Sequence, residues 1–304
     1  MRKNMLRFLA ILLICILVQP STACAEELVT MPGNCTLKLE YSREGTAFEG
    51  LEIAIYRVAA MYEDGSYALT GAFSGYPVKI HDIRSQLQWR EAANTLAAYA
   101  QADGIAPAAM ADTDESGNVT FSNLETGLYL VREVIGRNAE GICQFENFIV
   151  FLPTPQTDGT ALFDVSAKPK STVIPEEPAA YQVVKLWKDT GNQNQRPTAI
   201  TVDILKNGQV AETVILSAEN NWSYAWSAPA GDTWTVVERD VPEGYTVTIT
   251  ENQTLFTITN TGVTPDPEWP QTGDTFHLRL CILLMSLSGI GLVALGIWRR
   301  RQFA

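Results

Sequence analysis

Lys185, Glu238 and Asn260 are the residues of this 304-residue chain whose types and spacing are best suited to covalent chemistry. Each lies in a short segment of alternating residues. The two-residue period of a strand places each of the three side chains on the same face as large apolar neighbours. The sequence therefore predicts a lysine, a glutamate and an asparagine within one apolar core.

Two interpretations of this buried trio are open. A buried ion is costly unless it is paired, so the first is a Lys185–Glu238 ion pair with Asn260 hydrogen-bonded nearby. The second is covalent, because desolvation favours the neutral amine of lysine and the protonated acid of glutamate. The amine could then attack the amide carbon of Asn260, while Glu238 polarises the carbonyl and carries protons to the departing ammonia. The product would be an isopeptide bond between Lys185 and Asn260.

The elements that must position the trio lie in residues 181–262, where seven short segments rich in β-branched and aromatic residues are separated by turn residues. Within Lys206-Asn207-Gly208-Gln209, the Asn-Gly pair is typical of a tight hairpin. Seven short strands in this length predict an antiparallel sandwich. The predicted strands are Tyr181–Lys188, Thr198–Lys206, Glu212–Ser217, Asn221–Trp226, Thr233–Arg239, Tyr245–Glu251 and Leu255–Asn260.

Essentially all of 181–262 resembles a B-type repeat domain of collagen-binding adhesins (Cna-B). The resemblance is carried by the strings VVKLWKDTGNQNQRPTAITVDILKNG, NNWSYAW, WTVVERDVPEGYTVTI and FTITNTG. In that family the lysine of K-x-W, the glutamate of the Y/W-T-V-x-E box and the terminal asparagine form a self-catalysed isopeptide bond. The resemblance implies that Lys185 and Asn260 are joined and that Glu238 is the catalytic proton shuttle.

Residues 26–170 are predicted to form a further strand-rich domain with a helical interval near Asp82–Gln101, for which Asp82 is the expected N-cap. The strings FEGLEIAIYRVA, DESGNVTFSNLETGLYLVRE and FIVFLP…FDVSAKPK resemble the N-terminal domain of sortase-assembled pilins, which implies a β-sandwich with a helical insertion. The alternation places Lys38 on the outward face of the first strand, and the last strand offers no asparagine. We therefore predict no isopeptide bond in this domain.

The predicted fold class is all-β, with two tandem Ig-like or prealbumin-like antiparallel β-sandwich domains at 26–170 and 181–262. Between them, 171–180 is predicted to be a linker. The reason is that the string PKSTVIPEEP, at 169–178, contains three prolines and no core pattern.

Both ends of the chain carry targeting patterns. Residues 1–25 combine a basic start, an apolar run and Ala23-Cys24-Ala25, which indicates a secretory signal peptide. Residues 263–304 contain a spacer, an apolar segment at about 278–298 that predicts a transmembrane helix, and a basic tail. With the pentapeptide Trp269-Pro270-Gln271-Thr272-Gly273 this order resembles the sorting signal of sortase substrates, with Trp269 where Leu is commonest. The resemblance implies cleavage and anchoring between Thr272 and Gly273.

The composition excludes several functions. Residues 26–272 hold 15 basic and 33 acidic residues, a net charge of −18, which excludes a nucleic acid as a partner held through its phosphates. His81 is the one histidine of this interval, so we expect no metal site, no cofactor and no serine–histidine hydrolase. The two cysteines of the interval, Cys35 and Cys143, could pair outside the cell or remain as buried thiols.

These features predict a secreted protein anchored to a Gram-positive cell wall, with sortase and either peptidoglycan or other pilin subunits as partners, and with a host or matrix molecule as a further candidate ligand. The pilin resemblance implies that Lys170, after Pro169 at the domain edge, receives the threonine of the next subunit. A solvated linker lysine without a role is the alternative. For the whole chain the alternatives are a wall-linked adhesin that does not polymerise and a carbohydrate-binding or hydrolytic surface protein.

Overall fold

The fold is that of a computed structural model, which describes residues 33–138, 141–189, 193–229 and 231–262. The predicted signal peptide at 1–25 and the predicted spacer, sorting motif, transmembrane helix and basic tail at 263–304 lie outside the described residues. Among the residues that are described, no helix is both long enough and apolar enough to cross a membrane.

The N-terminal part of the described chain is built from fifteen strands and one helix. In chain order the strands are β1 (Asn34–Glu40), β2 (Ser42–Arg43), β3 (Thr46–Ala47), β4 (Glu52–Met61), β5 (Tyr67–Leu69), β6 (Ala109–Asp112), β7 (Asn118–Glu125), β8 (Gly127–Val131), β9 (Val134–Asn138), β10 (Gly141–Phe145), β11 (Phe148–Leu152), β12 (Thr154–Pro155), β13 (Ala161–Leu162), β14 (Asp164–Ala167) and β15 (Ser171–Ile174). The helix is α1 (Gln86–Ala102), and a 3-10 turn precedes it at Gly71–Phe73.

Two sheets of this part pack face to face. One has the order β14-β1-β7, and the other has the order β11-β8-β4-β5 with β6 also paired to β4. Leu37 and Leu39 of β1 point into the core between the sheets, while Lys38 lies exposed on the outer face, as the alternation predicts. The strands β4 and β8 are buried on both faces, because α1 covers the side of their sheet that faces away from β1.

The helix begins three residues later than the sequence predicted. Ser85 is its N-cap, with an extended backbone and a hydroxyl that accepts a hydrogen bond from the Gln88 amide. Asp82 was the wrong N-cap, because its φ of 58° lies in the left-handed region, whereas an N-cap residue needs an extended backbone.

The C-terminal part is a second sandwich, and all seven predicted strands are present. The strands are β16 (Ala179–Lys188), β17 (Ala199–Lys206), β18 (Gln209–Ser217), β19 (Ser223–Ala228), β20 (Trp234–Glu238), β21 (Tyr245–Asn252) and β22 (Leu255–Gly262). Its sheets have the orders β19-β16-β22-β21 and β18-β17-β20, and 3-10 turns lie at Gln193–Gln195 and Ala218–Asn220. At the predicted hairpin, Asn207 and Gly208 have φ values of 51° and 80°, as a tight type I′ turn requires.

The predicted all-β class is therefore confirmed, with one refinement to its antiparallel pairing. The first and last strands of each sandwich pair in parallel: β1 with β14, and β16 with β22. Part of the segment expected to be a linker is also a strand, because β15 pairs with β10 and extends the N-terminal part to Ile174.

The two parts share one continuous apolar core in which α1 is the common element. One side of α1 covers β8 and β11, and the other covers the outer edge of β21. There the amide of Val247 donates to the Pro77 carbonyl at 2.9 Å, and the amide of Ile249 donates to Thr95 Oγ1 at 2.8 Å. An unpaired sheet edge is thereby closed by groups from the N-terminal part.

A pair of half-buried carboxyl groups lies across the same junction. Gln144 Nε2 donates to Glu133 Oε2 at 2.9 Å and to Glu251 Oε1 at 3.0 Å, so one amide joins the N-terminal part to β21. Burial, together with the charge of Glu251, raises the pKa of Glu133 well above its usual range. Burial also raises the pKa of Glu251 to about 7. The charges of Glu146, which is paired with Arg90, and of Arg132 also act on this pair: Glu146 raises both pKa values, and Arg132 opposes the rise at Glu133.

We predict that Thr95→Val lowers the free energy of unfolding by about 1–3 kcal/mol, because the isosteric side chain leaves the buried amide of Ile249 without an acceptor. Urea denaturation of the chain 26–272 measures the change. Thr95→Ser is the matched control, since it keeps the hydroxyl and should retain most of the stability. Equal losses in both variants would contradict the role of this hydrogen bond.

We predict that the free energy of unfolding falls as pH rises from about 4.5 to 7.5. The pKa values of Glu133 and Glu251 are raised in the folded protein, so the folded state binds more protons than the unfolded state across this interval. The stabilisation that the two groups contribute is complete below their pKa in the unfolded state. It is lost as the pH rises through their pKa values in the folded state. Glu251→Gln should flatten the profile by roughly 1–3 kcal/mol. An unchanged profile in that variant would show that the pair is not responsible.

Candidate functional site

The predicted trio is brought together in the C-terminal sandwich by its first and last strands and by the facing sheet. Lys185 lies on β16 and Asn260 on the parallel neighbour β22, in a register that places Lys185 beside Ile258 and Trp187 beside Asn260. Glu238 ends β20 in the opposite sheet and reaches across the core. Alternation puts all three side chains inside, because each shares its face with core residues such as Val183, Val236 and Ile258.

The contacts within the trio are close and free of solvent. Lys185 Nζ lies 3.3 Å from Glu238 Oε2, and neither side chain has any exposed surface. Asn260 Nδ2 donates to Glu238 Oε1 at 2.9 Å, and Asn260 is also fully buried. Two acceptor atoms, Asn260 Oδ1 and Glu238 Oε2, have no hydrogen-bond partner among the described residues. Glu238 thus touches both the amine and the amide.

Aromatic rings close the end of the site around the amine. Lys185 Nζ lies 4.1 Å from the centre of the Trp187 ring, which packs edge-on against Trp222 and Tyr245. Beyond these rings, Tyr245 Oη donates a hydrogen bond to Asp189 at 2.7 Å. The same Asp189 carboxylate forms an ion pair with Arg196. These rings exclude water from the amine. When the amine is charged, the Trp187 ring stabilises it by a cation–π interaction.

Burial shifts both ionisable groups toward their neutral forms. Desolvation lowers the pKa of Lys185 to about 8, against the opposing attraction of Glu238. Desolvation also raises the pKa of Glu238, against the opposing attraction of Lys185. The neutral pair, an amine and a carboxylic acid, holds the same number of protons as the ion pair. A proton transfer between Lys185 and Glu238 therefore converts one state into the other without exchange with solvent.

The arrangement is chemically suited to amide exchange. A neutral amine is a nucleophile, and a carboxamide on the neighbouring strand is an electrophile with ammonia as its leaving group. A carboxylic acid in contact with both can donate a proton to the amide and accept one from the amine. Among the described residues, no group of three or more His, Cys, Asp and Glu could hold a metal ion.

Contacts from the N-terminal part to the backbone at Glu238 and to Arg239 were not predicted from the sequence. Tyr99 Oη of α1 donates to the backbone carbonyl of Glu238 at 3.3 Å. The neighbouring Arg239 forms an ion pair with Asp103, just after α1, at 2.6 Å, and a further pair with Asp203 of β17. Two-residue alternation identifies what one strand buries, and it holds no information on which distant helix covers that strand.

The remaining predicted residues lie away from this site. Cys35 and Cys143 are both buried in the apolar core of the N-terminal sandwich, and the two alternatives for them, a disulfide and a pair of buried thiols, both stay predictions. Lys170 is exposed between β14 and β15, and its carbonyl accepts from the Glu146 amide at 3.0 Å. Lys168 is paired with Glu40 at 2.9 Å. The sorting motif Trp269-Pro270-Gln271-Thr272-Gly273 lies outside the described residues.

Residues 181–261 match the family model described as Cna protein B-type domain. The curated collagen adhesin of Staphylococcus aureus is 30% identical to the chain over 156 residues, which are 48% of the chain and 12% of that adhesin. The chain therefore spans only a small fraction of the length of this relative. These two matches confirm the resemblance of the C-terminal sandwich to a B-type domain of collagen-binding adhesins.

Solved structures of surface proteins are also similar to the chain. A single B repeat unit of the collagen-binding surface protein of S. aureus covers 76% of the chain and 99% of itself, at 16% identity and a TM-score of 0.27. The alignment with the shaft pilin SpaA of Lactobacillus rhamnosus GG covers 76% of the chain and 99% of the pilin, at 15% identity and a TM-score of 0.28. The alignment with the major pilin SpaD of Corynebacterium diphtheriae covers 76% of the chain and 64% of that pilin, at 16% identity and a TM-score of 0.29.

Proposed function

We propose that the chain is a cell-wall-anchored surface protein whose C-terminal domain is locked by an isopeptide bond between Lys185 and Asn260. The observation that carries the proposal is the solvent-free contact of Glu238 with both Lys185 and Asn260, on the two strands that begin and end the sandwich. The match of 181–261 to a B-type domain supports it. The only chemistry proposed is this intramolecular, self-catalysed reaction, and we propose no enzymatic turnover.

The reaction begins with a proton transfer from the Lys185 ammonium to the Glu238 carboxylate. The neutral Nζ attacks the side-chain carbonyl carbon of Asn260, and Glu238, now an acid, stabilises the developing oxyanion at Oδ1. The bond from Nζ to that carbon forms and the bond from the carbon to Nδ2 breaks. The second proton of Nζ passes through Glu238 to the leaving nitrogen, which departs as ammonia. Glu238 still holds the first proton at this stage, and it returns to the carboxylate when it gives that proton to the departing ammonia, which leaves as ammonium, so Glu238 acts as a catalyst.

The position of the bond has a mechanical consequence. It would join β16 to β22, so a force applied to the two ends of the domain passes through the cross-link and leaves β17 to β21 outside the loaded path. It would also close a loop of nearly the whole domain, and by analogy with a long-loop disulfide this stabilises by several kcal/mol. Resistance to force and proteolysis is what an extracellular stalk requires.

At the level of the whole protein we propose a sortase substrate, with two domains at 26–170 and 181–262, that functions as a pilin subunit. Sortase would join Thr272 to the amine of another subunit or of peptidoglycan. The targeting patterns at 1–25 and 263–304 and the net charge of −18 between residues 26 and 272 support export and display.

A wall-linked adhesin that does not polymerise is the second candidate. It is favoured by the similarity to a collagen adhesin, and a matrix protein would then be the class of ligand.

We predict that the chain 26–272 has an intact mass lower than the calculated value by one ammonia, about 17 Da, because the condensation releases ammonia. Asn260→Ala and Glu238→Gln should both restore the full calculated mass of the variant. Asn252→Ala removes an exposed amide at the end of β21 and is the matched control, which should keep the deficit. A wild-type mass equal to the calculated value would refute the bond.

We predict that Thr272→Ala moves the protein from the cell-wall fraction to the membrane or the medium, because sortase then lacks its acyl donor. Fractionation and immunoblotting measure the distribution. Thr275→Ala, three residues further along and outside the pentapeptide, is the control and should leave the protein in the wall. Wall linkage that survives Thr272→Ala would show that the pentapeptide at 269–273 is not the sorting site.

We predict that wall extracts contain a branched peptide joining Thr272 of one copy to Lys170 of another. Lys170 is exposed beside Pro169, which keeps the backbone extended at the edge of the N-terminal part. Lys170→Ala should abolish the high-mass ladder, whereas Lys168→Ala, at the neighbouring lysine paired with Glu40, should preserve it. Tandem mass spectrometry identifies the branch. A single band in the wild type, with Thr272 on peptidoglycan, would favour the non-polymerising adhesin.

A further inference from the structure

The last turn of α1 holds the backbone of the residue that catalyses the proposed bond. Tyr99 Oη donates to the carbonyl of Glu238 at 3.3 Å, and Tyr99 is only 5% exposed. The hydrogen bond therefore lies in the core shared by the two parts of the chain. Its effect is local, because it fixes the peptide group that carries the Glu238 side chain.

Arg239 adds a second tie between the same two elements. Its guanidinium forms an ion pair with Asp103 at 2.6 Å and donates to the carbonyl of Ala102 at 3.4 Å, both at the C-terminal end of α1. A cation is favourable at that end of a helix, because the last carbonyl groups are unsatisfied. The same guanidinium contacts Asp203, so Arg239 bridges α1 to β17.

These ties matter because β20 is an edge strand, paired with its own sheet on one side. Among the described residues, β20 pairs only with β17, in a register that sets Val202 opposite Glu238. Glu238 is also the last residue of its strand, and one further backbone hydrogen bond, from the Arg239 amide to the Thr201 carbonyl at 3.1 Å, follows it. The carboxyl group must nevertheless contact both Lys185 and Asn260. A displacement of about 1 Å at a reacting group lowers rates by up to 100-fold.

We propose that α1 is an intramolecular positioning element for isopeptide formation, with Tyr99 and Asp103 as the positioning residues that hold Glu238 against Lys185 and Asn260. The inference rests on the proposed Lys185–Asn260 bond. The N-terminal part is synthesised and exported first, so it is available as a folded surface when the C-terminal sandwich forms. The bond then forms rapidly only after the two parts have docked, and it locks a chain that is already correctly assembled.

The test is the rate of ammonia loss, followed by intact mass during cell-free synthesis of the chain 26–272. Tyr99→Phe removes one hydrogen bond and should slow the reaction about threefold, and Tyr99→Phe with Asp103→Asn about tenfold or more. Tyr129→Phe is the matched control. It removes a tyrosine hydroxyl that donates to the carbonyl of Glu125 at 3.0 Å within the N-terminal part, and its rate should equal that of the wild type.

A second readout separates positioning from general stability. Rates are measured at temperatures where circular dichroism shows every variant to be fully folded, and across pH. The reactive pair holds one proton, so the rate is highest over the pH interval in which that state is populated. In Tyr99→Phe the contact between Glu238 and Lys185 should be looser and their attraction weaker, so the pH interval of highest rate should become narrower. Lower stability of the domain alone leaves the width of this pH interval unchanged.

The outcomes are distinct. If the wild type loses ammonia, and Tyr99→Phe, the double variant and Tyr129→Phe lose it at the same rate and with the same pH profile, the positioning role is overturned. The proposed bond is unaffected by that result. No ammonia loss in the wild type would overturn the proposed bond and the inference with it. Slower loss in Tyr129→Phe than in Tyr99→Phe would assign the effect to the stability of the N-terminal part, and would also overturn the positioning role.

Discussion

The desolvation of three polar side chains is the constraint on which the rest of this structure depends. A lysine, a glutamate and an asparagine occupy the core of the C-terminal sandwich without exposed surface. Such a core is tolerable only when each group has a partner and the charges can be neutralised. Two facing sheets provide this, because the amine and the amide come from adjacent parallel strands and the carboxyl comes from the opposite sheet. The environment that makes the ion pair costly also makes the amine nucleophilic.

Keeping water out requires more than the sandwich itself. The outer edge of β21, the strand next to the one that carries Asn260, would be open in an isolated sandwich. Pro77, in the segment before α1, and Thr95 of α1 close this edge. The same helix reaches the backbone of Glu238 through Tyr99. The N-terminal part therefore belongs to the surroundings of Lys185, Glu238 and Asn260, and the two parts share one apolar core.

Much of the candidate site could be predicted from the sequence, because its residues obey a local rule. Two-residue alternation was sufficient to bury Lys185, Glu238 and Asn260, and Asn207-Gly208 specified its own turn. Contacts between distant segments could not be predicted in this way, since the Tyr99–Glu238 and Thr95–Ile249 hydrogen bonds join residues more than 130 positions apart. One signal was available: the nearly continuous apolar run of β4 is typical of a strand covered on both faces. The helix start was wrong because the position of a cap depends on backbone conformation that residue type alone does not fix.

Tandem mass spectrometry of a tryptic digest of the folded wild-type chain detects the proposed Lys185–Asn260 bond itself. We expect one branched species in which the peptide containing Lys185 is joined through Nζ to the side-chain carbonyl of residue 260, with the corresponding linear peptides absent. Recovery of two separate linear peptides, with an unmodified lysine at 185 and an intact asparagine at 260, would contradict it. The trio would then be a buried ion pair with a hydrogen-bonded asparagine.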